Sequence, residues 1–149
     1  MKRPGTYVLF LRFPKAVETE VGSLGRIFLE AGDYCYVGSA MGGLDQRLSR
    51  HLSHEKKKRW HIDYLTTICD DMHALEHEGT SIPECDLARA IKSIGNAPAV
   101  MNFGCSDCGC QTHLFKVDLE ATERSLMDLG MTNFEISERI SNFNTVKRT

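Results

Sequence analysis

Two periods organise the apolar positions of this chain. Tyr7-Val8-Leu9-Phe10-Leu11 follows Pro4-Gly5, and Tyr34-Cys35-Tyr36-Val37 lies between Gly32 and Gly38. Short apolar runs bounded by Gly or Pro predict strands. Pro14, Gly22 and Gly25 fall between these two runs and predict an inserted loop or hairpin. After Gly42-Gly43 the period lengthens: Leu44, Leu48 and Leu52 recur one helical turn apart, which predicts a helix to about His54. Arg47, Arg50, His51 and His54 lie off that stripe, and Arg47 and His51, four residues apart, share a face.

Further along, Trp60 to Cys69 carries Ile62, Leu65 and Ile68 at helical spacing, and Met72 to Glu76 alternates like a strand. Ser81, Pro83 and Glu84 suit a helix start, with Ser as the cap, and that helix is expected to run to about Ile94 before Gly95. Residues 95–112 read as loop, His113 to Val117 as strand, and 119–129 as an amphipathic helix stopped by Gly130. Interleaved strands and helices of this length predict an α+β fold, a small mixed or antiparallel sheet flanked by helices. A single domain spans 1–149, with its core at about 5–118 and a C-terminal helix and tail over 119–149.

Composition narrows the class only slightly. With 42% hydrophobic and 26% charged residues, the chain reads as a globular protein, and no run has the length of a membrane span. With no apolar leader at its start, a cytoplasmic location is expected. The net charge of −2 hides a strong asymmetry. Residues 42–60 hold six Lys or Arg (47, 50, 56, 57, 58 and 59) against Asp45 and Glu55, whereas 61–94 hold two against seven acids. A local basic segment of Arg50, Lys56, Lys57, Lys58 and Arg59 can contact phosphates on a slightly acidic protein. Taken alone, the same run also reads as a solvated helix end whose cations suit the dipole.

The ordered set of Gly5-Thr6-Tyr7, Tyr36-Val37-Gly38, Arg47 with His51, and a later helix opening on Glu84 resembles the GIY-YIG nuclease superfamily. The phrases Tyr36-Val37-Gly38-Ser39-Ala40, Arg50-His51-Leu52, Trp60-His61-Ile62-Asp63-Tyr64-Leu65 and Cys105-Ser106-Asp107-Cys108 look like its Uri-type branch. The resemblance covers about residues 5–118 and implies a divalent-metal-dependent endonuclease acting on DNA. Tyr7, Tyr36, Arg47 and His51 would be catalytic and Glu84 the carboxylate for Mg²⁺ or Mn²⁺. One tyrosine would be the general base and the other would position it, with Tyr7 favoured. The resemblance also implies a repair context or branched substrates and a DNA-repair protein as partner; with no specificity domain evident in the sequence, selectivity for DNA structure rather than sequence is expected. Thr6 stands where the family usually has Ile, an exchange a strand tolerates. The family's late asparagine has two candidates, Asn96 and Asn102. A nucleic-acid-binding module that retains the fold without cleavage is the alternative.

Arg47 suits the chemistry because a guanidinium stays charged and grips two phosphate oxygens at once. A free phenol ionises near pH 10, so either tyrosine needs help to act as a base. Cys105, Cys108, Cys110 and His113 match a Cys₃His count for structural Zn²⁺, in a zinc-stabilised interaction protein if they matter most. Four ligands within nine consecutive residues is unlike the two separated pairs such sites use, and a tight loop with Ser106 and Asp107 in turn hydrogen bonds is the other reading. Cys35, Cys69 and Cys85 are expected to be small buried hydrophobes.

Overall fold

The computed structural model describes residues 2–104 and 110–135. The first apolar run becomes β1 (Gly5–Phe13) and the second β4 (Gly32–Ala40). They pair antiparallel over their whole length, from Gly5 opposite Ala40 to Phe13 opposite Gly32. The insertion between them is a hairpin, β2 (Val17–Glu20) and β3 (Arg26–Leu29), joined by a 3-10 turn at Gly22–Leu24. β5 (Asp71–Glu78) covers the other edge of β1. β7 (Leu114–Val117) pairs with β4, and two-residue strands β6 (Ala97–Pro98) and β8 (Thr132–Asn133) complete a six-stranded antiparallel sheet in the order β6-β7-β4-β1-β5-β8.

Because side chains alternate across a strand, this sheet has two apolar faces. Tyr7, Leu9, Leu11 and Phe13 project into one core with Leu44 and Leu48 of α1 (Leu44–His51) and Leu65 of α2 (Asp63–Thr66). Val8, Phe10, Cys35 and Val37 project into the other, against Leu87 and Ile91 of α3 (Glu84–Ser93) and Leu126 of α4 (Leu119–Leu129). The α+β architecture is the one that the hydrophobic pattern predicts.

Several boundaries move for identifiable reasons. The helix expected over Trp60–Cys69 contracts to α2, and that expected to reach His54 ends at His51, where the ammonium of Lys56 bonds the carbonyls of Arg50 and His51 at 3.0 and 2.8 Å. Ser81 is not the cap of α3. Its hydroxyl bonds His77 Nε2 at 2.8 Å, and Pro83 occupies the cap position. Asp118 does cap α4, accepting from the Ala121 amide, and Gly130 ends it in the left-handed conformation. Part of the segment read as loop forms β6. Among the described residues, no helix is long and apolar enough to cross a membrane.

Candidate active site

The site lies where β1 begins and β4 ends, and the register there sets its contents. Tyr7 stands opposite Gly38, and its ring crosses the space a side chain would need: a Cβ on Gly38 would lie 3.0 Å from the Tyr7 ring edge and nearer still to the phenol oxygen. Tyr36, diagonal to Tyr7 on the same face, has its ring centroid 6.5 Å away. It is accommodated in turn by Gly104, whose φ of +73° and absent Cβ leave room for the ring. The glycines of the second motif and of this loop are therefore spaces for phenols.

Helix α1 adds the cations. Arg47 donates to the Ser39 carbonyl at 3.0 Å, which ties the helix to the end of β4. One turn on, His51 is 1% exposed and its Nε2 is 2.8 Å from the Tyr7 hydroxyl. Burial, followed by the nearby Lys56 ammonium, pushes its pKa down to about 3, so the imidazole is neutral. Burial, with Tyr36 beside it and Arg47 opposing, raises the Tyr7 phenol above its ordinary value. At neutral pH the pair is a protonated phenol against a neutral imidazole.

Trp60 leans over this helix. The guanidinium carbons of Arg47 and Arg50 lie 4.6 and 4.5 Å from its ring centroid, that of Arg59 lies at 5.7 Å, and His51 meets it edge-on. Arg50 is also gripped by Asp63, with both N–H···O contacts at 2.8 Å. The Asp63 carboxylate is fully buried and accepts from the amides of Arg59 and Trp60 too. Burial alone would raise its pKa, but these donors together hold it at about 2. Arg50 and Lys56 are thus engaged by the protein itself, while Lys57, Lys58 and Arg59 are exposed.

Glu84 arrives from the opposite layer. Thr6 donates to the Ile82 carbonyl at 2.9 Å, which holds the lead into α3 against β1. Glu84 then accepts from the Ser39 hydroxyl at one oxygen and lies 3.2 Å from His113 Nδ1 at the other. The His113 contact, working with Ser39 against the cost of burial, holds the carboxyl below its usual range. A carboxylate has about four acceptor positions, so an ionised, part-exposed Glu84 retains capacity for a hard cation completed by water and substrate oxygens.

Tyr7, Tyr36, Arg47, His51 and Glu84 all line one cleft of about 530 Å³, shared with Ser39, Trp60 and His113. Sequence reasoning did not single out Ser39, Asp63 or His113 as partners within the site, although the first two belong to the motif phrases above. Asn96 is structural: it donates to the Ile91 carbonyl and Thr122 hydroxyl and accepts from the Asp118 amide. Asn102 is outside the cleft lining and has a positive φ of 62°. Of the four expected zinc ligands, Cys105 and Cys108 fall outside the described residues. Cys110 and His113 are brought together with Cys85, a residue expected to be merely a buried hydrophobe.

No curated protein and no solved structure matches the chain. Residues 6–135 do match the family described as a domain of unknown function, DUF123, and this span contains Tyr7, Tyr36, α1 and Glu84, so the chain belongs to that family.

Proposed function

We propose that the protein is a divalent-metal-dependent endonuclease of GIY-YIG type that hydrolyses phosphodiester bonds in DNA, selecting structure rather than sequence in a repair context. The observation that carries this reading is the convergence of two strand tyrosines, a helix Arg–His pair and a single carboxylate on one cleft. Each residue type there matches a task. Arg47, placed at the cleft wall by the Ser39 carbonyl, offers a fixed positive charge to phosphate oxygens. Glu84 would hold Mg²⁺ or Mn²⁺, whose chemistry is to stabilise charge on phosphate and leaving oxygens.

The Tyr7–His51 pair supplies the proton path. Attack at phosphorus requires a water to lose a proton as the new P–O bond forms. Tyr7 Oη takes that proton while passing its own to His51 Nε2, and the leaving oxygen is protonated by solvent as the scissile P–O bond breaks. A neutral histidine is needed for this, and its low pKa secures it. An anionic phosphate entering the cleft raises that pKa toward a useful value, because an opposite charge favours the imidazolium. Tyr36, nearer the surface, would orient the water or phosphate.

The test is a panel of labelled duplex, flap, junction and single-stranded DNA, with RNA counterparts, incubated with Mg²⁺ or Mn²⁺. Cleavage of DNA by the wild type is expected, reduced on the order of 100-fold or more by Glu84→Gln with fold and DNA affinity retained. Arg47→Ala should lose cleavage and part of the affinity. Full-rate cleavage by Glu84→Gln would rule out the proposed metal role. Binding without cleavage would make the protein a nucleic-acid-binding module.

A further inference from the structure

We propose that Cys85, Cys110 and His113 form a zinc site that fastens the start of α3 to the strand leading into β7. The sulfur and imidazole ligand atoms of these three residues lie within 4.8 Å of one another. Zinc bonds of about 2.0–2.3 Å place tetrahedral ligands roughly 3.3–3.8 Å apart, so the observed triangle closes with a shift of about 1 Å. The donors come from separate parts of the chain, one on the first turn of a helix and two flanking the turn before a strand. That is how structural zinc sites join elements, and it removes the difficulty of drawing four ligands from nine consecutive residues.

The scaffold is already fixed. His113 is 1% exposed, its amide bonds the Phe103 carbonyl at 2.8 Å, and its carbonyl accepts from Val37 at 3.0 Å. Cys85 lies on the wall between the cleft described above and a second one of about 360 Å³, which Cys110 also lines. Solvent metal therefore has a path to both thiols. Two thiols and an imidazole select a borderline-soft ion such as Zn²⁺, not Mg²⁺, so this site is chemically separate from any cation at Glu84. Three protein ligands leave one tetrahedral position for water or a further donor.

With zinc on Nε2 of His113, the Nδ1–H would donate to Glu84, 3.2 Å away, the arrangement in which a carboxylate fixes the tautomer of a metal-bound imidazole. Zinc would then settle the position of Glu84 without itself being the cation that Glu84 holds. The zinc site stands on its own donor set and does not rest on the nuclease reading.

Metal content and stability test it without any activity assay. Full-length protein purified without chelator should carry about one equivalent of zinc, and Cys85→Ala should lose it. Zinc added to stripped wild type should raise the melting temperature by roughly 5–10 °C, from the stabilisation expected of saturating ligand on a chain of this size. Stripped Cys85→Ala should melt near stripped wild type and gain nothing from zinc. Cys85→His should restore binding. Where Cys85→Ala fails to fold, cobalt substitution of the protein with Cys105 and Cys108 both changed to Ala decides: charge-transfer absorption with the intensity of two thiolates supports Cys85 and Cys110, and its loss overturns the proposal in favour of Cys105 and Cys108. A folded Cys85→Ala that keeps its zinc and its full thermal gain overturns the proposal. So does wild type that binds neither zinc nor cobalt, or that holds a Cys85–Cys110 disulfide when purified under reducing conditions.

Discussion

Burying a neutral histidine against Tyr7 makes the stability of this fold depend on pH. In the unfolded chain the His51 imidazole takes a proton near pH 6.5, whereas in the fold it resists protonation to about 3. Between these values the unfolded state binds more protons. The contribution of His51 is therefore complete above 6.5 and is lost as pH falls toward 3. From pH 7.5 to 5.0 the loss is about 2 kcal/mol, since each unit below 6.5 is worth about 1.4 kcal/mol. The full burial of the ring makes solvent screening minor. Buried Asp63 and the cleft carboxylate Glu84 have lowered pKa values and titrate below this window.

His51→Gln keeps a polar group able to meet the Tyr7 hydroxyl but cannot titrate. Urea unfolding of both proteins at pH 7.5 and 5.0 isolates His51, because every other histidine is common to the two. The wild type should lose about 2 kcal/mol more than the variant, or roughly 4–8 °C in melting temperature. Ring nitrogen chemical shifts of His51 should stay those of a neutral imidazole down to pH 4.5. Parallel losses within about 0.5 kcal/mol, or an imidazolium signal at pH 6, would refute the assignment of His51 as a buried neutral partner of Tyr7.

Three further substitutions probe the packing and the basic segment. Gly38→Ala should destabilise the fold by about 1–3 kcal/mol in urea titrations, because the added methyl must displace the Tyr7 phenol. Lys57, Lys58 and Arg59 changed together to Ala should leave stability within about 0.5 kcal/mol but lower the salt slope of DNA binding, by up to about 1 for each phosphate that is no longer neutralised. Lys56→Ala should do the reverse, costing about 0.5–1 kcal/mol of stability with little change in slope, since its ammonium is spent on the end of α1.

Much of the fold was legible in the chain because apolar periodicity is a local signal. β1, β4, α1 and α4 follow from runs and stripes that any window reveals, and the hairpin follows from Gly and Pro between them. The candidate site was legible through the order of Tyr7, Tyr36, Arg47, His51 and Glu84. Its polar supports were not. That Ser39 meets Glu84 depends on register and on the approach of α3 at the sheet end, and that Asp63 holds Arg50 depends on how α1 and α2 pack within one layer; no local pattern encodes either. Cys85 was misread for the same reason: as a lone thiol on a helix it carries no sign of Cys110 and His113 across a turn. Ser81 is not a cap because α3 begins at Glu84, which puts Pro83 at the cap position and leaves Ser81 two residues upstream, where its hydroxyl meets His77.

Trp60 is the chain's single tryptophan, and it lies on the cleft wall beneath three guanidinium groups and beside His51. The protein therefore carries a built-in optical reporter with no competing indole. Anything that draws Arg47 or Arg59 from the ring changes the field on the indole, and with it the emission. Occupancy of the cleft can thus be followed on unlabelled protein, including in variants that have lost all chemistry.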